Sequence, residues 1–197
     1  MTTRKVKAPK PRPLGKNEVV VAVLSAARKL FAERGYAAVS VRDIAAAANI
    51  NHGLIHRHFG SKDRILHAVL QGMFSDVSGL VRANLDLKSP DFIDRLYPLA
   101  AARKQDWQIL MRAVLDGFDF QVAGFEFPLT GLTLDHVAAR RGARDMEART
   151  IAGTIIAGGL GWLLLEPYLG PILQLDGVDP SKTRARVAAL LKTLIDS

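Results

Sequence analysis

The chain has 197 residues, 49% of them hydrophobic, with 27 Lys and Arg against 19 Asp and Glu. That is enough chain for one large domain or two small ones, and enough apolar content to bury a core, which excludes an intrinsically disordered protein. The lack of cysteine excludes disulfide scaffolds, thiolate metal sites, Fe–S clusters and Cys nucleophiles, and it fits a reducing compartment. The charge is uneven: residues 1–67 hold 13 basic and 4 acidic side chains, whereas residues 68–197 hold 14 and 15. The whole basic excess therefore sits in the first third, which points to a polyanionic partner at that end. The competing reading is a basic tail that only aids solubility.

Residues 1–16 carry six Lys and Arg, no acid, and Pro9, Pro11 and Pro13. Such a stretch predicts a disordered or polyproline-like arm. The first 27 residues mimic a signal peptide, with basic residues, the apolar run Val19 to Leu24, then Ser25-Ala26-Ala27. The apolar pattern does not stop there, however. It continues at helical spacing, with Val20, Leu24, Ala27 and Phe31 expected on one face. A helix is predicted from Asn17-Glu18 to about Arg34, where Gly35 stops it. Ser40 with Asp43 three residues on is a near capping box, so a short helix starts at Val41 and carries Ile44 and the run Ala45 to Ala48. Asn49-Ile50-Asn51 breaks that run. A third short helix covers His52 to His58, and Ser61 caps a long fourth one from Lys62 into the low 80s. Its apolar side is Ile65, Leu66, Val69, Leu70, Met73, Val77 and Leu80.

Beyond this the chain has no sustained period-2 pattern. Helices are expected over about 91–102, 104–115, 129–141, 145–165 and 180–195, with an irregular aromatic stretch from Gly117 to Pro128. Pro167, Pro171 and Pro180 punctuate the C-terminal part. The fold class is thus all-α, with about nine helices. The longest uncharged run, Thr150 to Leu165, is 16 residues. It is shorter than the about 20 a span requires, so it reads as a buried helix and no membrane partner is expected.

Val41 to Phe59 has the form of a helix-turn-helix. Ala45 to Ala48 allow close helix packing, Asn49 tolerates the left-handed turn geometry, Ile50 plugs the core, and Asn51 caps the second helix. On that helix Ile55 and Phe59 face inward at i, i+4. His52, Gly53, Leu54, His56 and Arg57 fill the remaining surface, which carries no acid, as a helix inserted into DNA requires. Gly53 gives up about 1 kcal/mol of helix propensity. Either a close backbone approach to DNA or room for the preceding helix accounts for it.

Phe31-Ala-Glu-Arg-Gly35-Tyr36, Ser40-Val-Arg-Asp-Ile-Ala45, Ile50-Asn-His-Gly-Leu-Ile-His-Arg-His-Phe59 and Ser61-Lys62-Asp63 with Leu66 together resemble the TetR family of bacterial transcriptional regulators over about residues 19–67. The resemblance implies a helix-turn-helix DNA-binding domain over 17–62 after the 1–16 arm. It also implies a helical regulatory and dimerisation domain over 63–197. By the same resemblance the protein is a cytoplasmic homodimer, binds double-stranded DNA, and is a repressor released from a palindromic operator by a small-molecule effector. Phosphate contacts fall to Ser40, Arg42, His56, His58 and Lys62, and base-edge contacts to His52, Gly53 and Arg57, with Arg57 open to either role. The arm is open to minor-groove contact or to being an unbound tail. Three positions depart from the family pattern. Asn49 replaces the turn glycine, Asn51 the usual Ser or Thr, and His56 the tyrosine that touches a phosphate. An imidazole changes charge near neutral pH, so affinity through His56 is expected to vary with pH.

His52 and His56 have helical metal-ligand spacing, but no carboxylate completes a set, so no metal and no cofactor are expected. Gly158-Gly159-Leu160-Gly161 lies inside an apolar helix. Gly158, Gly161, Trp162 and Leu165 are therefore candidates for a dimer seam, with core packing inside one subunit as the alternative. Trp107, Phe118, Phe120, Phe125 and Phe127 are candidates for a ligand cavity, the last four mixed with Asp116, Asp119, Gln121 and Glu126; a plain inter-helix loop is the alternative. No Ser/His/Asp ordering, P-loop or nucleophile elbow is present, so the protein is not expected to be an enzyme. The rival readings are a non-specific chromosome-associated DNA binder and a helical enzyme with its site near Phe118 to Phe127.

Overall fold

The computed structural model describes residues 15–120, 125 and 127–196. The arm lies almost wholly outside the described residues, as do Gln121 and Glu126. Among the described residues there are nine helices and no strand. They are α1 (Lys16–Arg34), α2 (Val41–Ala48), α3 (His52–His58), α4 (Lys62–Asn84), α5 (Phe92–Ala101), α6 (Lys104–Leu115), α7 (Pro128–Arg141), α8 (Met146–Ile172) and α9 (Pro180–Asp196). The chain falls into two compact units. The second comprises Gln71–Met111 and Asp119–Ser197, and the first runs up to Leu70 and takes in Arg112–Phe118.

In the first unit α1 packs on α2 and α3. Helix α1 begins one residue earlier than Asn17 suggests, because the Glu18 carboxylate reaches back to accept from the Gly15 N–H at 3.3 Å. Its buried stripe is Val19, Val23, Ala27, Leu30 and Phe31. Val20 and Leu24 are only half-buried, so the expected face is turned by about one residue. With Ile44, Ile55, Ile65, Leu66 and Leu70 these side chains form one core, each fully buried large residue contributing about 1.5–3 kcal/mol. The end of α6 is tied into this unit by Arg112, which donates to the Ala32 carbonyl at 2.8 Å, and by Asp116, which accepts from the Ala37 N–H at 3.0 Å. On α4, Phe74 and Val81 are buried, while Leu80, expected inside, is exposed.

In the second unit α8 packs against α7 and α9, and α9 against α5. Asp145 caps α8 by accepting from the Ala148 N–H at 2.8 Å. Two expectations for this helix fail. It continues past Glu166 through Pro167 and Pro171 to Ile172. A proline removes one N–H and crowds one carbonyl, a local cost that a long helix packed on two neighbours withstands. Nor is α8 a buried helix. It is long and apolar enough to cross a membrane by length and composition, yet only 33% of its most apolar 18-residue window is buried. Its exposed stripe is Gly153, Thr154, Ala157, Gly158, Leu165 and Tyr168.

Candidate nucleic-acid interface

The α2–α3 turn is built from three local devices. Ser40 and Asp43 form a reciprocal capping box: the Ser40 hydroxyl accepts from the Asp43 N–H at 3.1 Å, and Asp43 Oδ2 accepts from the Ser40 N–H at 2.8 Å. Hydrogen bonds from the Ser40 side chain and backbone hold the Asp43 carboxyl below its ordinary value. Asn49 ends α2 in the left-handed region, at φ 56° and ψ 44°, where an asparagine is tolerated better than most L residues. Asn51 then accepts from the Gly53 N–H at 2.9 Å and starts α3.

These devices set the face of α3. Ile55 is fully buried and fixes the helix on the core. His52, Gly53, His56 and Arg57 are exposed, and His58 is half-buried. With Arg42, exposed at the start of α2, they form a surface without a carboxylate on α3. The rings of His52 and His56 meet edge to face at 5.5 Å. His56 Nδ1 lies 3.1 Å from the Gly60 carbonyl oxygen. Since a carbonyl only accepts, Nδ1 carries the proton and Nε2 points away from that bond.

A Cβ built on Gly53 meets only Asn51 Oδ1, at 3.4 Å. No atom of α2 lies within 4 Å, so packing on the preceding helix does not explain this glycine. Ser40 and Lys62, like Asn51 and His56, already have protein partners. The Lys62 ammonium donates to the Tyr36 carbonyl at 2.9 Å and sits 4.2 Å from the centre of the Tyr36 ring. The Tyr36 hydroxyl donates to Asp63. Tyr36 thus holds the start of α4 against the end of α1. The sequence reading passed over this role, although the pairing of Gly35-Tyr36 with Lys62-Asp63 was its available signal.

The aromatic candidates separate. Trp107 is buried, with its indole N–H donating to the Ala100 carbonyl at 2.8 Å. Phe118 belongs to the first unit, edge-on to Tyr36 at 6.0 Å. Phe120, Phe125 and Phe127 cluster with Phe74 at centroid distances between 5.4 and 6.3 Å. None of the five lines either of two cavities in the second unit. One, apolar and about 30 Å3, lies against Ile93, Leu129 and Ile155; the other, about 330 Å3, lies between α5 and α9.

The seam candidates separate too. A Cβ on Gly158 meets Leu191 Cδ2 at 3.0 Å, so Gly158 faces α9 of its own subunit, whereas one on Gly161 meets nothing within 4 Å. Leu165 is 52% exposed, and the buried Trp162 Nε1 has no hydrogen-bond partner among the described residues.

Residues 23–69 match the family model described as bacterial regulatory proteins, tetR family. An HTH-type transcriptional repressor of Mycobacterium tuberculosis is 36% identical over 187 residues, covering 95% of this chain and 94% of that one. Among solved structures, a tetR-family bacterial regulatory protein from Rhodococcus superposes with a TM-score of 0.68 at 19% identity, covering 92% of this chain and 98% of the other. A gamma-butyrolactone receptor superposes with a TM-score of 0.55 at 20% identity, covering 90% and 98%.

Proposed function

The chain belongs to the tetR family of bacterial regulatory proteins, DNA-binding transcriptional regulators, and from that premise we propose that it is a cytoplasmic, homodimeric repressor that a small molecule releases from a palindromic operator. The observation that carries this reading is α3. It is an exposed helix without acids, capped by Asn51, reached through the left-handed Asn49, and opened by a glycine that no neighbouring helix requires. Such a surface suits the major groove, where an acid would meet phosphate repulsion and a bare backbone gains close approach. His52, Gly53 and Arg57 are the base-edge readers. Arg42, His56 and His58 contact phosphates. The Ser40 hydroxyl and the Lys62 ammonium act chiefly by fixing the helices that present them, since both are already bonded within the protein.

Dimerisation is supported by the α8 stripe. The exposed Gly153, Thr154 and Ala157, with the half-buried Gly161 beside them where a Cβ would meet nothing within 4 Å, leave room for a second helix, and Leu165 and Tyr168 supply exposed apolar area. The chain then divides functionally into a DNA-binding part around α1–α3 and a regulatory, dimerising part beyond it. The name of the mycobacterial relative supports repression as the sign. Effector coupling requires that the ligand bind two conformers of the dimer with different affinity.

Selection of bound DNA from a random pool tests the reading, with gel-shift analysis of the winning fragment. A palindromic site is expected. Arg57→Ala is expected to weaken binding by about 1–3 kcal/mol and to relax preference at one base pair. Equal binding of the winning fragment and random DNA overturns the reading.

A further inference from the structure

The larger cavity of the second unit has a composition that the DNA-binding reading does not use. Its volume is about 330 Å3. Alanines stand on both sides of it, Ala101 and Ala102 from α5 and its C-cap, Ala185 and Ala188 from α9. Facing methyl groups leave the space between two helices unfilled. Pro98, also on the wall, cannot donate to the Asp94 carbonyl and loosens α5 at that point. The space corresponds to about eleven water molecules at about 30 Å3 each, which is at the low end for a ligand pocket.

The polar groups on the wall are compensated. Arg184 is bidentate on Glu166, through Nε at 2.9 Å and Nη2 at 2.6 Å. Asp94 accepts from Lys192 at 2.8 Å, and Lys192 also reaches Asp91 at 3.4 Å. Three acids therefore stand against two bases, and no uncompensated positive charge awaits an anion. The Tyr97 hydroxyl donates to the Gly159 carbonyl at 3.0 Å, and burial raises its pKa far above the usual phenol range, so it stays neutral. Arg184 keeps N–H donors that the Glu166 bridge does not use, because a guanidinium has five.

Resting on the regulator reading and deepening it, we propose that the space between α5 and α9 is the effector site, and that it takes a small uncharged organic molecule the size of one or two fused rings. A hydrogen-bond acceptor on the ligand meets the free Arg184 N–H groups, and its apolar body lies on the alanine walls. The position differs from the aromatic stretch Phe118 to Phe127 that the sequence suggests. It also sits where α9 is bridged to α8, the helix with the unpaired stripe, so an occupant bears directly on the elements that would pair two subunits.

Calorimetric titration of the full chain with 2-naphthol, which is neutral and of matching size, and with the anion 2-naphthoate tests the site. One 2-naphthol per protomer is expected, with 2-naphthoate at least tenfold weaker. Ala185→Trp, which fills the space from an exposed position, is expected to weaken 2-naphthol at least tenfold with an unchanged thermal midpoint; Ala102→Leu serves from the other wall should that variant not fold. No binding of 2-naphthol, undiminished binding in the filled variants, or tighter binding of 2-naphthoate overturns the proposal. A gel shift of the selected operator, run on the same wild-type and variant proteins, separates the two readings. Loss of operator recognition in all of them sinks the regulator reading, whereas intact recognition with an unaffected 2-naphthol isotherm sinks only the site.

Discussion

Two histidines illustrate how one ring reports different things in different surroundings. His56 spends its Nδ1 proton on the Gly60 carbonyl, so in the neutral ring Nε2 offers a lone pair. A phosphate oxygen needs a donor there, which requires the imidazolium. His56→Tyr, whose hydroxyl donates without a change of charge, is therefore expected to bind the operator at least as tightly as the wild type, and His56→Ala several-fold more weakly; anisotropy titrations check it. His136 is fully buried, stacked on Phe92 at 4.5 Å, with Nδ1 donating to the Leu87 carbonyl at 2.6 Å and Nε2 unpartnered among the described residues. Burial depresses its pKa below 6.5, Arg140 and Lys192 push the same way, and the Leu87 bond opposes them. In the unfolded chain the ring gains its proton near pH 6.5, while in the fold it resists. Its neutral form therefore supports full stability above pH 6.5, and stability falls as pH drops from there toward the depressed folded value. Urea midpoints at pH 7.5 and 5.5 are expected to differ more for the wild type than for His136→Gln. The phosphate role of His56 could be read from the sequence, but its Gly60 bond and the role of His136 could not, because each depends on one carbonyl brought near one ring nitrogen.

Among the helices, what could be read ahead followed from local chemistry. Ser40 with Asp43, Asn49, Asn51, Ser61 and Gly35 each act within a few residues, so they placed the starts and stops of α1 to α4 closely. Faces were harder. The stripe of α1 and the last turn of α4 depend on which neighbour covers them, and an apolar period of 3.6 leaves about one residue of rotation open. The end of α8 was misjudged because a proline signals a local cost, while the long packed helix around it decides the outcome. The alanine-lined cavity was invisible for a related reason: Ala101 and Ala185 lie far apart in sequence and only the packing of α9 on α5 makes them face. The seam glycines are separable now. Gly161→Leu is expected to weaken self-association at least tenfold, because an added side chain enters the space left for a second helix. Gly158→Ala is expected to leave it nearly unchanged, because its methyl presses on Leu191, a movable side-chain end of the same subunit. Sedimentation equilibrium of the two variants distinguishes them.

For the molecule as a whole, the proposed two-fold dimer would tie the operator's symmetry to the protein's own. Half-sites are expected about one turn, 34–36 Å, or a multiple apart. Inserting five base pairs between them rotates one half-site to the far face of the duplex, so affinity is expected to fall at least a hundredfold, measured by gel shift. The charge partition points the same way, since the basic excess belongs to residues 1–67, the part that carries α3. One consequence concerns α3 itself. It has seven residues, a glycine at its second position, and a single fully buried anchor, Ile55. A peptide of that length does not hold a helix in water on its own. Its order is therefore lent by the Asn51 cap and by the core beneath Ile55, so a change at either alters DNA recognition without touching DNA.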